Sequence, residues 1–131
     1  MSDKVDFVRR QCNGQIVSYA LAVDAMHTDI DQGAIHAAFR MEWWDSFFLK
    51  IAKAALAEEI LSSLADAEKK DETPIDRLIF LLSYIQNEVN NMALSPKRST
   101  SITTNFAHIC RLEAHADWAR TLRELNLEAK P

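Results

Sequence analysis

Ile35 to Leu56 reads IHAAFRMEWWDSFFLKIAKAAL, and fifteen of these twenty-two residues are apolar. Helical spacing puts Met41, Trp44, Phe48, Ile51 and Ala55 on one face, and Phe39, Trp43, Phe47 and Ala54 on another. A helix that is apolar nearly all round is either buried among neighbours or shared with a partner. The helical pattern continues to about Ala67. Asp45-Ser46 offers a cap inside it, so residues 35–67 read as one helix or as two.

The flanking segments are amphipathic. Ser2 is a good N-cap, and Val5, Val8, Cys12, Ile16, Tyr19, Val23 and Met26 recur at three- and four-residue steps. They predict a first helix running to about His27, with Gly14 on its far face at a cost of roughly 1 kcal/mol against alanine. Thr28 to Gly33 reads as a connector whose Asp31 caps the next helix, and Lys69 to Glu72 as a charged connector. Thr73-Pro74-Ile75-Asp76 opens another helix well. Threonine caps, proline needs no hydrogen-bond acceptor in the first turn, and the carboxylate suits the positive end of the dipole. Ile75, Leu78, Ile79, Leu82, Ile85, Val89 and Met92 form its core stripe, and Phe80 and Tyr84 lie on its other side.

Ser95 to Thr104 is a loop, since Pro96 stops the preceding helix and six of its ten residues are Ser or Thr. A last helix is expected from about Thr104 to Asn126. Its apolar face carries Leu112, Trp118, Ala119 and Leu122 with His108 and His115, and its solvated face carries Glu113, Asp117, Arg120 and Glu124. Arg120 is spaced to pair with Glu124, and residues 127–131 are expected to fray. These elements predict a single all-α domain over residues 1–131: an antiparallel bundle of four or five helices, with the helix containing Trp43 to Ile51 central and largely buried.

Composition agrees. The chain has 131 residues, 48% apolar and 26% charged, which suits one globular domain and excludes a low-complexity or wholly disordered chain. Two glycines and three prolines argue against a turn-rich β protein and against glycine-rich phosphate loops. The longest uncharged stretch, Gln11 to Val23, has thirteen residues. A membrane span needs about 18 or more, so none is expected. Charges alternate from Asp3 to Arg10, unlike a secretory leader, so a cytoplasmic location and reduced Cys12 and Cys110 are the expectation.

Candidate chemistry is sparse. Asp24 and His27 sit one turn apart, but a di-metal site needs a second such pair and further carboxylates. His108 and His115 are seven residues apart, about 10.5 Å along a helix, too far to share one ion unaided. No nucleophile elbow or phosphate loop occurs, Cys12 lies on a core stripe, and Cys110 borders the polar side. A non-catalytic protein without cofactor or metal is therefore expected, with a metal site inside the helical bundle as a further alternative.

Charge is uneven. The net −4 divides into −6 over residues 1–94 and +2 over residues 95–131. Lys97, Arg98, Arg111 and Arg123 could hold a nucleic-acid backbone, aided by hydroxyl groups and a helix N-terminus, and this is the alternative reading. The favoured reading is protein–protein association, including self-association, as an inhibitor, adaptor or assembly subunit. Trp44, Phe48, Phe80 and Tyr84 are its expected contact residues, because aromatics on the back of an amphipathic helix are favoured interface anchors. The acidic stretch Glu58 to Asp76 would meet a basic surface on the partner.

Overall fold

The computed structural model describes residues 3–31, 41–94 and 102–128, with side chains described over 3–25, 47–93 and 105–128. Among these residues the chain is all-helical, with no strand. The helices are α1 (Asp3–Asp31), α2 (Met41–Lys69), α3 (Pro74–Leu94) and α4 (Ile102–Glu124). None is long and apolar enough, among the described residues, to cross a membrane.

α3 begins where its cap chemistry places it. The Thr73 carbonyl accepts from the Arg77 N–H at 3.2 Å, and the Thr73 hydroxyl donates to the Asp76 carboxylate. α2 ends in a paired wrap-around. The Glu72 N–H donates to the Ala67 carbonyl at 2.9 Å, and the Asp71 N–H to the Glu68 carbonyl at 3.2 Å. This closure needs a left-handed residue, and Asp71 fills it at φ 60° where glycine is commoner. Asn126 performs the same reversal after α4, at φ 53°.

Several boundaries differ from the sequence reading. α1 runs on through Thr28 to Asp31, so the expected connector is helical there. α2 passes unbroken through Asp45-Ser46, so no second helix starts at that point. α4 starts at Ile102 and ends at Glu124. The expected fraying from residue 127 is corrected too: Leu127 is buried against the core, and the Asn126 turn carries it there. The proposed contents of residues 32–40 and 95–101 lie outside the described residues.

The core joins all four helices. Val5, Val8 and Cys12 of α1 meet Leu56, Ala57, Ile60 and Leu64 of α2, Leu78, Leu81 and Ile85 of α3, and Trp118, Ala119 and Leu122 of α4. Trp118 is 2% exposed, and its indole N–H donates to Gln15 Oε1 at 2.9 Å, satisfying the one polar atom that burial would strand. Arg9 meets Glu68 at 3.4 Å, and Lys4 Nζ donates to the Asn126 carbonyl at 2.8 Å. Cys110 is buried, not at the polar border as its neighbours in sequence suggested.

Burial falls toward the other end. Ile16, Tyr19 and Val23 of α1, and Phe47 to Lys53 of α2, are only half-buried, and among the described side chains of α2 complete burial begins at Ala54. The two aromatic faces of α2 serve different neighbours. Phe47 lies 6.3 Å, centroid to centroid, from Tyr19 of α1, and Phe48 lies 5.5 Å from Phe106 of α4 in an edge-to-face pair.

Candidate interaction surface

Phe48 is half-buried and lines a groove of about 240 Å³ between α2 and α4. Ile51, Ala52 and Ala55 form the α2 wall, and Ala107, Arg111 and His115 the α4 wall. His115 is 5% exposed, and its Nδ1–H donates to the Arg111 carbonyl at 2.8 Å. A carbonyl can only accept, so Nδ1 carries a proton in this contact. Arg111 falls on the line of α4 that carries Trp118 and Leu122 into the core, yet it is exposed. Arg111 thus stands at the rim of the groove, while Cys110, Ala114 and His115 beside it on α4 are buried.

Phe80 and Tyr84 stand on α3, 63% and 49% exposed. They share a face of α3 with Arg77, being three and seven residues beyond it. The Arg77 side chain is only 12% exposed and is held by three residues. Its guanidinium donates to the Ser63 carbonyl at 3.0 Å, to Asp66 at 3.0 Å and to Glu72 at 2.9 Å. The Arg77 and Lys70 contacts hold the Asp66 carboxyl below the usual carboxylate range. Arg77 therefore pins the start of α3 to α2.

Phe48 and Phe80 do not form one patch. Arg77 sits against Ser63, fifteen residues from Phe48 on α2, or about 22 Å along the axis. The Trp44 side chain lies outside the described residues. So do Lys97 and Arg98. Arg111 and Arg123 are both exposed, but their spacing places them about 18 Å apart and a third of a turn around α4. Arg123 is engaged by Gln86, and Arg120 pairs with Asp117 at 2.8 Å rather than with Glu124, the shorter reach winning.

Other chemistry-bearing residues are dispersed. No group of three His, Cys, Asp or Glu side chains gathers among the described residues. His27 lies outside the described side chains, and His108 Nε2 is buried with no hydrogen-bond partner among the described residues. Cys12 and Cys110 form no disulfide and are both buried, and desolvation pushes the Cys12 thiol up to about 12. A thiol held protonated in this way is a poor nucleophile.

Two features escaped the sequence reading. The exposed Val17 and Leu21, one turn apart on α1, are the first. A second apolar stripe at positions 17 and 21 was their only available signal. The second is the pairing of Glu58 and Glu59 with an apolar neighbour, Ala55, along a shallow cleft that also holds Ser62, Ser63, Asp66 and Arg77. No protein-family model, curated protein or solved structure matches this chain.

Proposed function

We propose that the chain is a small non-catalytic interaction protein of the inhibitor, adaptor or assembly-subunit kind, working in the cytoplasm and associating with itself or with another protein. In this reading neighbouring helices run antiparallel and α2 is the innermost. Arg9 against Glu68, Tyr19 against Phe47, and Arg77 against Ser63 support that arrangement. The observation that carries the reading is the exposed Phe80–Tyr84 pair on a helix whose opposite face fills the core. Single apolar residues on a surface need no explanation, but adjacent aromatics are the side chains that interfaces use as anchors.

Solution mass measured over a range of concentrations tests it, with wild type beside a Phe80→Ala/Tyr84→Ala variant. Wild type should pass from monomer to a larger species. The variant, with unchanged helix content, should need at least about tenfold more protein to do so, as loss of about 1.4 kcal/mol implies. Association unchanged in the variant would remove the aromatic pair from the interface.

Arg111, exposed and unpaired among the described residues, supports the alternative of backbone contact with nucleic acid. Salt separates the two readings. Phosphate contacts weaken steeply between low and moderate salt, and an apolar interface does not.

A further inference from the structure

The α2–α4 groove and the α2–α3 cleft share two lining residues, Ala55 and Glu59. They adjoin along one stripe of α2, in which Phe48, Ala52, Ala55, Glu59, Ser62 and Asp66 recur at three- and four-residue steps, and together they form a trough. It follows α2 from Phe48 to Asp66, eighteen residues or about 27 Å. Its two ends differ in chemistry. Phe48, Ile51 and Ala52 make the first end apolar, with Arg111 above them. Glu58, Glu59 and Asp66 make the second end acidic. Asp66 is already paired with Arg77 and Lys70. Glu58 and Glu59 are exposed and make no ion pair among the described residues. Phe80 and Tyr84 stand on the same face of α3 as Arg77, which lines the acidic end.

From this juxtaposition we infer that the trough is a seat for one amphipathic helix of a partner protein, about five turns long. The partner helix carries apolar side chains over one half and lysine or arginine over the other. The inference rests on the interaction reading above and names the partner class.

Three features select that occupant. The length matches a helix laid along α2, and recognition of this kind reads apolar anchors at three- and four-residue spacing. The two unpaired glutamates favour cations at one end only, because Arg111 repels a second cationic cluster at the other. The half-buried Phe48–Phe106 pair offers apolar area that one or two anchor side chains can cover.

The test uses the full chain and three synthetic eighteen-residue helical peptides, each labelled with a fluorophore. The first has leucines at helical spacing in one half and lysines in the other. The second replaces those lysines with glutamates. The third carries lysines in both halves. Fluorescence anisotropy should show the first peptide binding at least tenfold more tightly than either of the others. Glu58→Lys/Glu59→Lys should weaken it at least tenfold, and Ala52→Glu should do the same. Circular dichroism of each variant confirms that helix content is kept. Added salt should weaken the wild-type complex only to the level left by Glu58→Gln/Glu59→Gln, in which the charges are removed.

Equal binding of the lysine and glutamate peptides would overturn the inference, because mere apolar stickiness would then suffice. So would indifference to both sets of substitutions, or absence of binding at millimolar peptide. If the chain still self-associates through Phe80 and Tyr84 while no peptide binds, the trough assignment fails and the interaction reading stands. If association also fails, both fall.

Discussion

The two ends of this bundle are built from similar side chains and packed to different degrees. At one end Val8, Ile60, Leu64, Leu78 and Trp118 are almost wholly buried, and left-handed turns at Asp71 and Asn126 follow the ends of α2 and α4. At the other, Phe47, Phe48 and Phe106 touch through ring edges and remain half-buried, beside a groove that the exposed Arg111 also lines. Apolar content alone does not decide burial. A side chain is buried when enough helices converge on it, and at the second end α2 and α4 face each other across a groove to which α3 contributes no side chain.

The contrast is easiest to break at Trp118. Trp118→Ala should cost about 3–5 kcal/mol, because it opens a cavity in the buried end and strands Gln15. Chemical denaturation would read this as a lower midpoint with the slope unchanged. Phe106→Ala at the other end should cost only about 1–1.5 kcal/mol, since about half of a ring's transfer energy is at stake there. Equal costs would mean that the two ends are packed alike.

Two substitutions should stabilise the chain by about 0.5–1 kcal/mol each. Gly14→Ala removes backbone freedom from the middle of α1, and an added Cβ there meets nothing within 4 Å. Asp71→Gly relieves the left-handed closure of α2, where a side chain is strained. Thermal melts would show both as upward shifts. A downward shift for Asp71→Gly would mean that the aspartate side chain contributes more at this turn than its backbone geometry costs.

The smallest effect concerns pH. The Asp66 carboxyl is held below its usual range by the Arg77 and Lys70 contacts. A group whose folded value is depressed stabilises the fold above its unfolded value, near pH 4, and loses that contribution as pH falls through the folded value. Asp66→Asn should therefore flatten the acid side of the stability curve and leave its slope between pH 6 and 8 unchanged. The amplitude should be modest, because water and salt screen a pair this exposed. Denaturation midpoints compared at pH 3 and pH 7 give the reading.

Much of this arrangement was readable one helix at a time. The stripe Val5, Val8, Cys12 and the stripe Leu78, Ile85 are buried as their spacing requires, and Thr73-Pro74 starts α3 by cap chemistry that acts within one turn. Phe80 and Tyr84 are exposed for the same reason, being on the back of a helix with one core face. Less was readable where the outcome depends on something distant. Thr28 to Asp31 has turn-like composition and is helical, and Cys110 looks peripheral and is buried. Leu127 looks like part of a fraying tail and packs into the core.

The sequence by itself therefore determined helix identity, most helix faces and the caps, because backbone hydrogen bonding and side-chain periodicity act within a few residues. Only the tertiary structure decided which end of α2 is covered, that Arg111 lies across from Phe48, and that Ala55 and Glu59 join two hollows into one. Those facts depend on where helices far apart in the chain cross, and no local spacing encodes a crossing.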